Sequence, residues 1–229
     1  MSSILEFIKY QFKNTELLRE ALTHPSTLQA NNINYERLEF LGDAVLNMVI
    51  SDMLFYLFPL ENEGNLAKRK SALICKKKIV EIAQFINLGQ FIIMSEGEKT
   101  CGGKENLNNL ENALEALIGA IYIDGGIQSA KEFILQHWES SAKRMLLPPQ
   151  DAKTTLQELA QTQELPIPNY RITNKSGLDH CPIFTVEVSL PHYGTATATG
   201  NSKKSAEQKA AELMLQKIKH NNCSTMKPN

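Results

Sequence analysis

Glu36, Glu39 and Asp43 stand at i, i+3 and i+7 in a stretch, residues 34–46, that is otherwise rich in apolar side chains. At about 100° per residue a helix gathers them within roughly 60° of one another. Three negative charges on one stripe repel, so the arrangement costs stability unless a cation sits among them. Gly42 lies beside the stripe, at a cost of ~1 kcal/mol in helix propensity. A locally unfavourable residue of that kind points to close packing or to a site. A second stretch, residues 111–120, places Asn112 and Glu115 at i, i+3. If the two helices lie side by side, Glu39, Asp43, Asn112 and Glu115 converge. An oxygen-only donor set without His or Cys suits magnesium or manganese rather than zinc. The plainer reading is a wet helix face, the usual fate of helical carboxylates. What sets this stripe apart is the apolar helix beneath it and the glycine within it.

The helices that must carry these groups follow from apolar spacing. Residues 4–12 and 15–22 read as short helices, the second capped by Asn14 or Thr15. Residues 35–57 are apolar at helical spacing through Leu38, Leu41, Val45, Met48, Val49 and Phe55, and the pattern stops at Pro59. Residues 65–84 read as one helix with Lys68, Arg69, Lys70, Lys76, Lys77 and Lys78 on a wet side. Residues 95–104, rich in Gly and charge, read as an exposed loop. Residues 106–124 form a helix that Gly125 and Gly126 stop, and residues 128–146 form another. No sustained strand pattern occurs, which makes residues 1–147 all-α.

Pro148 and Pro149 cannot continue a helix, and residues 148–152 read as a short, stiff linker. Beyond it the period changes. A helix over 154–163 precedes strands at 169–174, 183–190 and 195–199, with a turn at 191–194 and a last helix over 202–219. In the middle strand Phe184, Val186, Val188 and Leu190 alternate with Thr185, Glu187 and Ser189, the pattern of a half-buried strand. Residues 153–220 therefore form a small α+β unit of order α-β-β-β-α, and residues 221–229 a polar tail.

Composition narrows the function classes. With 42% hydrophobic and 21% charged residues among 229, the chain is neither disordered throughout nor fibrous. No run of 18 apolar residues is present, so no membrane span is expected. The first residues lack the basic and apolar regions of a secretory signal. Cys75, Cys101, Cys181 and Cys223 are too scattered for a structural zinc site and read as reduced thiols of a cytoplasmic protein. The net charge of −1 conceals a split. Residues 1–147 carry 15 basic against 18 acidic groups, net −3; residues 148–229 carry 9 against 7, net +2. An acidic front half suits a metal ion and a mildly basic back half suits phosphate.

The run Glu36-Arg37-Leu38-Glu39-Phe40-Leu41-Gly42-Asp43-Ala44-Val45-Leu46 resembles the signature of the ribonuclease III family. The residues Ala21-Leu22-Thr23-His24-Pro25-Ser26, Glu63-Gly64 and Leu114-Glu115-Ala116-Leu117-Ile118-Gly119-Ala120 carry the same likeness. It spans the whole chain: an all-α endonuclease domain, a linker and a double-stranded-RNA-binding domain. The resemblance implies a homodimer that hydrolyses duplex RNA with Mg2+ or Mn2+, leaving 5′-phosphate and 3′-hydroxyl ends with short 3′ overhangs, in the processing of rRNA and mRNA. By this likeness Glu39, Asp43, Asn112 and Glu115 stand at the metal-ligand positions, with Asp43 and Glu115 as the catalytic pair. Glu36 and Glu63 match further acidic positions of the cleft, and Phe40 an aromatic that packs into the partner subunit. Where the family commonly has Asp, this chain has Asn112, which keeps one carbonyl oxygen and loses a charge. Glu111, about 100° round the helix from Asn112, reads as a poor substitute. His24 reads as a structural hydrogen-bonder rather than a general base.

Duplex RNA offers its shape, its 2′-hydroxyls and its phosphates. Thr154, Gln157, Glu158 and Gln161 give the first helix of the second unit a polar face suited to a minor groove. Residues 177–184 read as a loop presenting His180. Ser202, Lys203 and Lys204 open the last helix, so two lysines add to its positive end; a merely solvated helix start is the bland alternative. The competing function is a duplex-RNA-binding protein that keeps the nuclease fold without its chemistry, which Asn112 alone favours. A di-iron carboxylate protein is the third reading and lacks the Glu-x-x-His motifs of such sites.

Overall fold

The structure, a computed structural model, describes residues 4–27, 33–149, 151–178 and 181–224. The chain divides into two compact units, Met1–Pro149 and Gln150–Asn229.

The first unit is helical. Its frame is α3 (Glu36–Leu57) laid along α7 (Leu107–Arg144), around which α1 (Ile4–Ile8), α2 (Thr15–Ala21), α4 (Glu63–Leu73), α5 (Lys76–Phe85) and α6 (Glu96–Thr100) gather. Leu46, Ile50 and Leu54 of α3 meet Leu114, Leu117 and Ile121 of α7 in one core, all essentially inaccessible to water. By length and hydropathy α3 alone among the described residues is apolar enough to cross a membrane. Its buried side goes into this core. Asn14 caps α2, its side chain accepting from the Glu16 amide at 3.1 Å. Helix α7 bends at Gly126, whose φ of 75° and ψ of −177° lie outside the helical region. The bend falls where the Gly125-Gly126 pair predicts a stop.

Four expectations need correction. Helix α1 ends at Ile8, because Lys9 takes a left-handed φ of 51°. The helix expected over 65–84 is two helices with Cys75 extended between them. There the buried Trp138 indole donates to the Leu73 carbonyl at 2.8 Å, taking the acceptor that a continuous helix would use. Arg69 is not on a wet side: it is 1% exposed, forked onto Glu61 at 2.6 and 2.8 Å and stacked 3.7 Å over Phe58. Residues 95–104 are not all loop, since Ser95 caps α6 by accepting from the Glu98 amide at 3.2 Å. On α3, Met48 and Phe55 face outward, and Asp52 pairs with Lys131 at 2.6 Å.

The second unit runs α8 (Ala152–Thr162), β1 (Asn169–Leu178), β2 (Cys181–Leu190), β3 (Gly194–Gly200) and α9 (Lys203–Ser224). The sheet is antiparallel in the order β1-β2-β3. Val186, Val188 and Leu190 are buried as their alternation predicts, and Val188 and Leu190 share a core with Leu156, Ala160, Ala211 and Met214. Two boundaries differ. Strands β1 and β2 extend until Gly177 pairs with Pro182 and Leu178 with Cys181, so most of the expected 177–184 loop is ladder. Helix α9 continues to Ser224, past the start expected for the tail. His180 and residues 225–229 lie outside the described residues.

Candidate active site and nucleic-acid interface

Helices α3 and α7 cross at two glycines. A Cβ on Gly42 would sit 1.7 Å from the Glu115 carbonyl oxygen, and one on Gly119 would sit 2.2 Å from that of Leu38. No other residue permits this approach of backbone to backbone. The crossing brings the acidic stripe of α3 against the first turns of α7. A pocket of about 550 Å³ opens there, lined by Glu36, Glu39, Phe40, Asp43, Asn112 and Glu115, with Tyr35, Pro25 and Ala44. The four side chains expected to converge therefore do so, and Glu36 joins them. Glu63 does not. It begins α4, is exposed, and borders a separate apolar pocket with Ser51, Leu54, Phe55 and Leu66.

The electrostatics are those of negative charge gathered in excess. Burial, then repulsion from Asp43, Glu111 and Glu39, pushes the Glu115 carboxyl up to about 8, against a small opposing pull from Lys76. Glu39 is raised too, by burial first and then by Glu36, Glu111 and Asp43. Among the described residues no three His, Cys, Asp or Glu side chains already stand close enough together to hold a metal ion; the like charges line the pocket at a distance from one another. The donor chemistry nonetheless fits a hard divalent cation: oxygens throughout, with negative charge in excess of positive.

Neighbouring groups fix the donors. The Asn47 amide donates to Asp43 Oδ1 at 2.7 Å and to the Asp43 carbonyl at 2.9 Å. Burial leads the influences that push the phenol of buried Tyr35 up to about 12, and the nearby Asn112 side chain pulls against it. His24 is structural, as expected. Its Nδ1 accepts from the Ser26 amide at 3.0 Å, which leaves Nε2 to donate to Asn109 Oδ1 at 3.2 Å. Asn109 in turn donates to Glu98 and to the Gly103 carbonyl, each at 3.0 Å, tying α7 to the α6 turn.

Sequence reasoning passed over Asn47, set Glu111 aside and read Lys76 as a solvated cation. Asn47 follows Asp43 at i+4, a spacing that places it on the same face. Glu111 precedes Glu115 by four, about 40° away, although it points away from Asn112. Lys76 holds Glu111 at 2.7 Å and also donates to Asn108.

In the second unit Thr154, Gln157, Glu158 and Gln161 are all exposed on α8. Asp151 caps that helix through the Thr154 amide at 3.0 Å. Ser202 caps α9 by accepting from the Ser205 amide at 3.2 Å, and Lys203 and Lys204 stand exposed in its first turn. Lys203 is 63% exposed and only 3.8 Å from Glu207, whose nearer partner is Lys153 at 2.6 Å. Gly200 lets the strand pass against this start, since a Cβ there would lie 2.6 Å from the Ala206 amide. The arrangement presents two exposed cations and a helix N-terminus to an anion.

Comparison with known proteins gives concordant matches. Residues 14–140 match the Ribonuclease-III-like family and residues 152–218 the Double-stranded RNA binding motif. The chain is 65% identical over 221 residues to Ribonuclease 3 of Ehrlichia ruminantium (strain Welgevonden), covering 96% of this chain and 97% of that one. It is 55% identical over 220 residues to Ribonuclease 3 of Wolbachia sp. subsp. Brugia malayi (strain TRS), covering 94% and 90%. A solved nuclease domain of ribonuclease III from Campylobacter jejuni superposes with a TM-score of 0.57 at 44% identity, over 60% of this chain and 94% of that one. Flexibility in a region involved in dimer formation is described for that domain.

Proposed function

The chain belongs to the ribonuclease III family, and from that premise we propose that it is a metal-dependent endoribonuclease that hydrolyses the phosphodiester bonds of double-stranded RNA. The products assigned are 5′-phosphate and 3′-hydroxyl ends with short 3′ overhangs. The observation that carries the reading is the convergence of Glu39, Asp43, Asn112 and Glu115 on one pocket at the Gly42–Gly119 crossing. Mg2+, for which Mn2+ can substitute, would supply there a lowered pKa for its bound water and neutralisation of the charge growing on the phosphate. Glu39, Asp43 and Glu115 would hold it with charge, and Asn112 with a carbonyl oxygen. Asn47 orients Asp43. Tyr35 lines the same pocket beside Asn112.

The second unit supplies affinity rather than chemistry. The exposed face of α8 and the lysines opening α9 suit the grooves and phosphates of a duplex, with no reading of base edges. Lys203→Ala combined with Lys204→Ala is expected to weaken duplex binding. The slope of log affinity against log salt should fall by about 2, one unit for each lysine–phosphate interaction removed. A slope equal to that of the wild type would assign both lysines to a solvated helix start.

A homodimer is the form assigned. Phe40 stands out from α3 with 82% of its surface exposed, and the apolar pocket between α3 and α4 offers a place for such a ring. The unpaired Cys75 and Cys101 fit a reducing, cytoplasmic setting, and the family likeness assigns rRNA and mRNA precursors as substrates.

The test is cleavage of a perfect RNA duplex in magnesium, beside binding of the same duplex in calcium. Cleavage that needs the divalent ion, with phosphate mapped to the 5′ ends, is the expected result. Binding without cleavage in either magnesium or manganese would leave a duplex-binding protein only.

A further inference from the structure

Asn112 leaves the pocket one negative charge short of the pattern that this chain resembles. Four residues before Glu115 on the same helix stands a carboxylate outside the pocket lining. Glu111 and Glu115, at i and i+4 of α7, share one face, with Cβ atoms about 5–6 Å apart by helix geometry. The Glu111 side chain is 22% exposed and is held by Lys76 Nζ at 2.7 Å. Lys76, the first residue of α5, also donates to Asn108, so it keeps an acceptor if Glu111 leaves.

Resting on the reading of this pocket as a cation site, we propose that Glu111 is its fourth carboxylate. It restores the charge that Asn112 lacks, and it is held by Lys76 while no cation is bound. One rotation of the Glu111 side chain exchanges an ammonium partner for a divalent one. The two positive charges compete for the same carboxylate, so Lys76 sets the affinity of the site without touching the metal.

The experiment is Mn2+ binding to the full chain without RNA, read by electron paramagnetic resonance, with thermal melts to confirm folding. Glu111→Gln is expected to weaken Mn2+ binding by roughly tenfold or more, in the range by which supporting groups alone change metal affinity. Lys76→Met breaks the same ion pair yet should leave affinity equal or tighter. Glu111→Gln combined with Asn112→Asp should return it toward wild type. A Glu111→Gln protein with wild-type Mn2+ affinity overturns the proposal, as does equal weakening by Glu111→Gln and Lys76→Met, which would mark a structural pair. Asp43→Asn separates the two levels. If it weakens Mn2+ binding and Glu111→Gln does not, only the role of Glu111 falls; if neither does, the cation site falls with it.

Discussion

Asp43→Asn is expected to abolish cleavage of duplex RNA and to leave duplex binding in place, and Glu115→Gln to do the same. Both replacements are isosteric, and Asn47 can still donate to the side-chain oxygen that the Asp43→Asn variant retains. Each removes one carboxylate from a pocket that Glu36, Glu39 and the neutral Asn112 also line. A rate loss of at least roughly a hundredfold to a thousandfold is expected, the cost of removing one electrostatic stabiliser of a transition state. Affinity should hold because the exposed face of α8 and the lysines at the start of α9 belong to the other unit. Stability gives a second sign to check. Glu115 is pushed up partly by Asp43, so neutralising Asp43 relieves repulsion in the metal-free protein. Its melting temperature without divalent ions should equal or exceed that of the wild type. Duplex affinity falling in step with the rate would place RNA binding in the pocket and sink this division of labour.

The acidic stripe was legible because its signal is local: three carboxylates at i, i+3 and i+7 on an apolar helix with a glycine between them. The order of elements in the second unit was legible for the same reason, since the alternation from Phe184 to Leu190 is a property of the strand itself. What escaped depends on partners distant in sequence. Arg69 sits in a run of cations and looks wet, yet Glu61 and the Met145 carbonyl satisfy it inside the fold. The break at Cys75 is set by Trp138, more than sixty positions away. Met48 and Phe55 follow the helical period but lie on the outer side of α3, because periodicity does not separate a core face from one that a second chain can cover. Glu111 was weighed only against Asn112, from which it points away; measured from Glu115 it does not.

Gly42→Ala is expected to destabilise the first unit and to loosen the site, although alanine is the better helix former. The propensity gain is ~1 kcal/mol. Against it stands a Cβ placed 1.7 Å from the Glu115 carbonyl oxygen and 2.6 Å from its carbon, backbone atoms that cannot rotate away. Overpacking a core with one methyl group costs about 1–3 kcal/mol even where side chains can yield. Here α3 and α7 must separate along the seam that holds the core together, which puts the cost at or above the top of that range. A net loss of about 2 kcal/mol or more follows, and a fall in melting temperature of roughly 5–10 °C. Gly119→Ala should behave alike, since its Cβ would meet the Leu38 carbonyl oxygen at 2.2 Å. Gly97→Ala is the control: its Cβ would meet only the Ser95 hydroxyl at 4.0 Å, so its melting temperature should stay at or above that of the wild type. Any Gly42→Ala protein that remains folded carries Glu39 and Asp43 farther from Glu115, and its magnesium requirement for cleavage should rise. A Gly42→Ala melt superimposable on the wild type would mean that the two helices do not cross at these glycines. The four donors would then lack the frame that gathers them.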